Sequence, residues 1–324
     1  MLLSMSKLPI SDLNLDSFLG NVSTEHRRHP TMVAVKLSSL EKNDKEGHNA
    51  YYQHSLASPM ATAKSLDEYR RQYECTYLRP FYQGGTTKGY VRGLATRSLI
   101  EAAYASNMAP RGVKVLDAGC GQGELSVYLA SHGFAVVGVD VSSVACAQAA
   151  ELASALGVSD RCTFLAEDLT HLSLADASIH CIIGHAALHH FIKYEGVPLE
   201  LARVLRPDGQ GFFADAFGEN KLYHLFHDKK KMQRLGDVSL TKPLVERFFS
   251  PYFHVEILPT DWFVMLDKLY EKLLPSPAEP LLRSISKLHF WLDRKLPTSS
   301  RTALYLSGSA MTHIRRKKTC EEGL

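Results

Sequence analysis

Residues Val113–Asp140, VKVLDAGCGQGELSVYLASHGFAVVGVD, leave a chain of 324 residues few folds to choose from. Val113, Val115 and Leu116 form a short apolar run suited to a strand buried on both faces. Gly119, Gly121 and Gly123 then follow at spacing two. Glycine supplies positive φ and lets backbone approach a ligand closely. Leu125, Tyr128 and Leu129 repeat at helical spacing, and Gly133 suits the residue just past a helix end. Phe134–Val139 reads as a second strand ending at Asp140. A glycine turn opening a helix offers free N–H groups beside the positive end of the helix dipole. An acid at the tip of the next strand is placed for ribose hydroxyls. The unit therefore predicts a nucleoside site.

The glycine spacing selects among nucleosides. A dinucleotide fingerprint, G-x-G-x-x-G, would need glycine where Glu124 or Ser126 stands. A P-loop would need Gly-Lys-Ser/Thr, which does not follow. The pattern present is D-x-G-x-G-x-G, from Asp117 to Gly123. It resembles motif I of the class I S-adenosylmethionine (SAM) dependent methyltransferases. The resemblance implies an α/β fold with a doubly wound, mostly parallel seven-stranded sheet. It also implies that Asp117, Gly119, Cys120, Gly121 and Gly123 surround SAM, that Asp140 binds the ribose, and that Val141 lies beside it. S-adenosylhomocysteine (SAH) would be the product.

Later segments resemble that family in the expected order. Arg161–Leu165 reads as the third strand. Asp168 then takes the position where the family's acid meets the adenine amino group, with Leu169 against the ring. Ser178–Gly184 reads as the fourth strand, with His180 where the family usually has an acid. GHAALHHF resembles the family's segment beside the methyl group, which brings in Gly184, His185, His189 and His190. The histidines are candidate bases or acceptor contacts, and the i, i+4 spacing of His185 and His189 predicts a shared helix face. RPDGQGFFADAF predicts a turn and then the fifth strand, with Asp208 replacing the usual glycine. No metal is expected: two histidines without a nearby carboxylate make a poor ligand set.

Five stretches follow along the chain. Residues 1–60 are polar and read as a partly disordered arm or a cap that orders on substrate. Residues 61–110 read as an N-terminal helical lid, with Ser65 as a helix cap. In FYQGGTTKGYVRG, Tyr82 and Gly85 are either part of that lid over SAM or an ordinary glycine turn. Residues 111–218 form the SAM-binding core. Residues 219–316 complete the sheet around a helical insertion, and 317–324 form a tail. The insertion around 262–290 either shapes an apolar acceptor pocket, meets a membrane surface, or covers the sheet edge.

Composition narrows the partners. The net charge is +3, too small to imply nucleic acid, although residues 221–324 carry 18 Lys/Arg against 11 Asp/Glu. None of the six cysteines forms C-x-x-C, which predicts reduced thiols in the cytoplasm. No apolar run approaches a membrane span, and MLLSMSKLPISDLNLD lacks the pattern of a signal peptide. The expected activity is methyl transfer to O, N or C of a small molecule. The alternatives are a lipid- or quinone-like acceptor at a membrane surface, by peripheral contact, and a non-catalytic SAM-binding protein. The sequence gives no oligomeric state.

Overall fold

The computed structural model describes residues 39–54, 62–79, 85, 89–105, 110–218, 237–260, 279–293, 307 and 309–317. Seven strands form one sheet: β1 (Lys114–Ala118), β2 (Ala135–Val139), β3 (Cys162–Leu165), β4 (Ile179–His185), β5 (Leu205–Ala216), β6 (Phe253–Thr260) and β7 (Ser309–Arg316). Their order is β3-β2-β1-β4-β5-β7-β6. The first five pair in parallel, and β7 runs antiparallel between β5 and β6. The order reverses at β1, so the carboxyl ends of β1, β2 and β4 frame a crevice where such sheets bind ligands.

Alternation along the central strands builds two cores. Val115, Cys181, Ile183, Phe212 and Met311 point to one face. Leu116, Ile182, Phe213, Ala310 and Ile314 point to the other. The first face is covered by α2 (Leu66–Tyr73), α3 (Gly89–Ala105), α4 (Glu124–Ser131) and α5 (Ser143–Ala155). The second is covered by α6 (Leu188–Phe191), α7 (Val197–Val204) and α8 (Lys242–Phe249).

Ser65 caps α2 as expected, accepting the Glu68 amide at 3.2 Å. Tyr69 and Tyr73 lie on one face of α2 and are fully buried. Tyr73 stacks on Tyr128 with ring centroids 4.2 Å apart, and the Tyr69 hydroxyl donates to the Glu124 carbonyl at 2.6 Å. The lid helix is thus tied to the helix that the glycine turn opens.

Three local expectations need correction. The polar arm contains a helix, α1 (Ser39–His54), preceding the lid. The turn expected within RPDGQG is absorbed into β5, whose register against β4 shifts between Ile179 and Cys181. His185 ends β4 instead of starting a helix, so His185 and His189 share no helix face. Of the helical insertion, α9 (Glu279–Asp293) lies between β6 and β7. Tyr82, the first half of the insertion and the tail beyond Lys317 fall outside the described residues.

Two histidines make the fold sensitive to acid. His180 Nδ1 accepts the Lys114 amide at 3.1 Å, a bond only an unprotonated nitrogen can make. Burial, followed by the Arg206 charge, holds its pKa below the ordinary 6.5. His313 stacks on Phe212, and burial and then Arg315 depress it as well, against the opposing pull of Glu256. Unfolding restores the ordinary value, so the unfolded chain binds more protons below 6.5. Stability is therefore full above pH 6.5 and falls as pH drops towards the depressed pKa values. The melting temperature is expected to fall between pH 7.5 and 5.5, and to fall less in His313→Gln; equal slopes in the two proteins would contradict this account.

Candidate functional site

β1 ends at Ala118, and the chain turns under β2, with the Gly119 and Cys120 amides donating to the Val139 carbonyl at 2.8 and 3.0 Å. The turn needs glycine for two reasons. Gly119 and Gly121 have φ of 78° and 52°. A Cβ on Gly119 would lie 2.6 Å from the Ala187 Cβ, and one on Gly121 would lie 2.8 Å from the Tyr52 hydroxyl. Gly123 is the N-cap of α4 at φ 78°, closed against Ala149.

Asp140, at the tip of β2, holds this loop in place. One carboxylate oxygen accepts the Gly121 amide and the other the Ser142 amide, both at 2.9 Å. Each oxygen keeps a lone pair for a ligand hydroxyl. Asp117 accepts the Ser126 hydroxyl at 2.6 Å, tying β1 to α4. Asp168 accepts the Thr170 amide at 2.6 Å and borders the cavity.

These groups line one cavity of about 430 Å³. Of the residues expected at SAM, Asp117, Gly119, Cys120, Gly121, Asp140, Val141, Asp168, Leu169 and His185 border it, as do His189 and His190. Gly123, Gly184 and Gly85 do not, because each is packed elsewhere. Gly184 faces the Phe213 ring, and Gly85 faces the Arg79 backbone. The glycine cradle, the acid at the tip of β2 and the acid after β3 have the chemistry to hold a nucleoside such as that of SAM.

The roof comes from α1, a contribution that the polar sequence of that helix does not signal. His48, Tyr51 and Tyr52 border the cavity. Asn49 Oδ1 accepts the Ser142 hydroxyl at 2.7 Å, and Gln148 donates to the Tyr52 carbonyl at 3.4 Å. Burial, and next the Asp140 charge, push the Tyr52 phenol well above its usual range, so it stays a neutral donor.

The far side of the cavity holds a cluster of histidines and acids. Ala186, at φ 50°, turns the chain out of β4 and into α6. His189 Nδ1 lies 2.7 Å from Asp215, near the end of β5, and Asp215 also accepts the Leu188 amide at 3.2 Å. His189 Nε2 is 4.0 Å from Asp237. His190 Nδ1 and Asp237 Oδ1 are 2.8 Å apart, yet both buried atoms lack an aligned hydrogen bond. His48 stands edge-on to His190, with ring centroids 4.8 Å apart. Burial tends to raise the Asp237 carboxyl, but His190, His189 and His48 outweigh it and hold the group below its ordinary range. Asp215 lay within a segment read only as a strand, and Asp237 in a stretch with no motif.

Residues 115–209 match a family described as "Methyltransferase domain". The tRNA 5-carboxymethoxyuridine methyltransferase of Escherichia coli K12 is 34% identical over 129 residues, covering 39% of this chain and 48% of that protein. Methyltransferase GfsG of Streptomyces halstedii is 35% identical over 122 residues, 37% of this chain and 44% of that protein. The chain thus spans about half the length of the curated relatives it matches. Among solved structures, geranyl diphosphate C-methyltransferase from Streptomyces coelicolor A3(2) superposes with a TM-score of 0.52 at 13% identity. That superposition covers 85% of this chain and 98% of the other, and shows a shared fold. Residues 115–209 are thus similar to methyltransferase domains, and the whole sheet shares the fold of a solved methyltransferase. The solved geranyl diphosphate C-methyltransferase holds S-adenosyl-L-homocysteine.

Proposed function

We propose that the protein transfers a methyl group from SAM to a small-molecule acceptor. One observation supports this most strongly. A single cavity joins the glycine loop, Asp140 and Asp168 on one side to His185, His189, His190 and Asp237 on the other. Bound SAM supplies an electrophilic methyl group on a sulfonium. The protein supplies position and electrostatics. Asp140 and Asp168 orient the cofactor, α1 limits access of water, and the histidine–aspartate cluster faces the acceptor. In this reading residues 111–218 bind cofactor, and 219–316 together with the lid shape the acceptor site.

The test is transfer of labelled methyl from SAM by the full chain to panels of phenols, alcohols, amines and enolisable ketones. Bulk tRNA and lipid vesicles serve as parallel acceptors. Label in a small molecule alone supports the reading, and label confined to tRNA or lipid replaces it.

The lipid alternative has one observation in its favour. Leu281, Leu288 and Trp291 are each more than half exposed along one face of α9. Co-sedimentation with anionic vesicles, lost in Leu288→Glu, would favour that acceptor class. No helix among the described residues is long and apolar enough to cross a membrane.

A further inference from the structure

The cluster beside the acceptor space has the make-up of a metal centre. Spacing along the chain offered His185 and His189 and no nearby carboxylate. The fold brings in Asp237, 47 positions after His190, so that one nitrogen from each of His189 and His190 and one Asp237 oxygen lie within 4.8 Å of one another. We propose that His189 Nε2, His190 Nδ1 and an Asp237 oxygen bind a divalent transition-metal ion. An oxygen of the acceptor completes its coordination. The second statement rests on the methyltransferase reading above, and the first does not.

Three features carry the assignment. The first is ligand spacing. Metal–nitrogen and metal–oxygen bonds of ~2.0–2.2 Å place neighbouring ligand atoms roughly 3–3.5 Å apart. The two nitrogen–oxygen separations, 2.8 Å and 4.0 Å, bracket that range, and the two nitrogens lie within 4.8 Å of each other. Small side-chain rotations would equalise them.

The second feature is orientation. Asp215, with its side chain 1% exposed, holds His189 Nδ1 at 2.7 Å. The Asp215 carboxylate accepts a hydrogen bond from Nδ1–H, which makes Nε2 the unprotonated nitrogen, 4.0 Å from an Asp237 oxygen. Metal-bound histidines usually have this arrangement, in which a buried carboxylate fixes the tautomer and raises the basicity of the ligating nitrogen.

The third feature is the pair His190 Nδ1 and Asp237 Oδ1. Two buried polar atoms stand in near contact without forming a hydrogen bond. A cation bound by both would satisfy the two atoms, which now meet only as a 2.8 Å ion pair. Two histidines and one carboxylate suit zinc, cobalt, manganese or iron(II) better than magnesium, and leave positions open for a substrate oxygen. A hydroxyl bound there loses its proton near neutral pH and becomes the nucleophile for the methyl group. The proton passes to solvent. The oxygen–methyl bond forms as the sulfonium–methyl bond breaks.

The test is a Co(II) titration of the full chain at pH 7.5, read by visible absorption and followed by Zn(II) competition. SAH calorimetry is run on the same samples. The expected result is one Co(II) per chain, displaced by Zn(II). Affinity should fall more than 100-fold in Asp237→Asn and in His190→Ala, while SAH binding stays within about threefold. Asp215→Asn, a change at the positioning residue, should weaken Co(II) by about 10–100-fold. No saturable Co(II) band in protein that binds SAH overturns the proposal, and leaves His189 as a proton acceptor held by Asp215. Cobalt affinity unchanged in both ligand variants also overturns it. A normal cobalt band in protein that fails to bind SAH supports the metal site and removes the methyltransferase reading alone.

Discussion

Asp140→Ala is expected to lower the affinity for SAH about 100-fold, equivalent to roughly 2.7 kcal/mol. Two losses combine. In the proposed cofactor pose the carboxylate at the tip of β2 faces the ribose, and hydrogen bonds to charged groups contribute about 1.5–3 kcal/mol each. The same carboxylate holds the Gly121 and Ser142 amides, both at 2.9 Å. Its removal frees the glycine loop and the start of α5 together, so binding must also order the loop. Asp140→Asn keeps one acceptor oxygen and should lose about tenfold less than the alanine variant, given the gap between charged and neutral hydrogen bonds. Calorimetry with SAH, on variants whose melting curves show a folded chain, makes the measurement. Wild-type affinity in Asp140→Ala would mean that the cofactor does not use this edge of the sheet.

Phe213→Ala is expected to cost about 3–5 kcal/mol of folding stability. Phe213 is fully buried at the centre of β5. Its ring stacks on Phe249 at 5.4 Å, meets Phe191 at 5.9 Å, and fills the space left by Gly184. Close neighbours on three sides leave little room for collapse, so the cavity persists and the loss lies towards the upper end of that range. Urea denaturation followed by fluorescence would measure it. A loss below about 1 kcal/mol would show that this face of the sheet repacks freely. Function should weaken as well. Asp215 is two residues further along β5, and its hold on His189 depends on that strand keeping its position.

What the chain's order reveals follows from how local each signal is. The glycine turn, Asp140, Asp168 and the strands around them are written in short segments, because β–turn–α units place their own ends at the sheet edge. That logic covered the glycine-loop side of the cavity. It did not reach α1, whose polar sequence carries little periodic apolarity. Its hold on the site runs through Asn49 to Ser142, 93 positions away. It also failed at His185, where helical spacing alone could not show that β4 continues one residue further before Ala186 turns the chain. The metal expectation rested on the absence of a carboxylate near two histidines in sequence. Asp215 and Asp237 reach them from β5 and from the segment before α8, and only the folded chain shows their proximity.

The place of β7 bears on synthesis. It is the last of the described strands in chain order, yet it lies between β5 and β6 and pairs with both. While the ribosome is still short of residue 309, β5 has an unpaired edge and β6 has no neighbour. Ala310, Met311 and Ile314, all fully buried in the finished sheet, are not yet available to either core. A nascent chain can assemble the β1–β5 half early, but its open edge can pair with other chains until the final strand inserts. Chaperone demand therefore falls on the interval between the synthesis of β5 and that of β7, and a chain terminated before β7 keeps the hazard permanently.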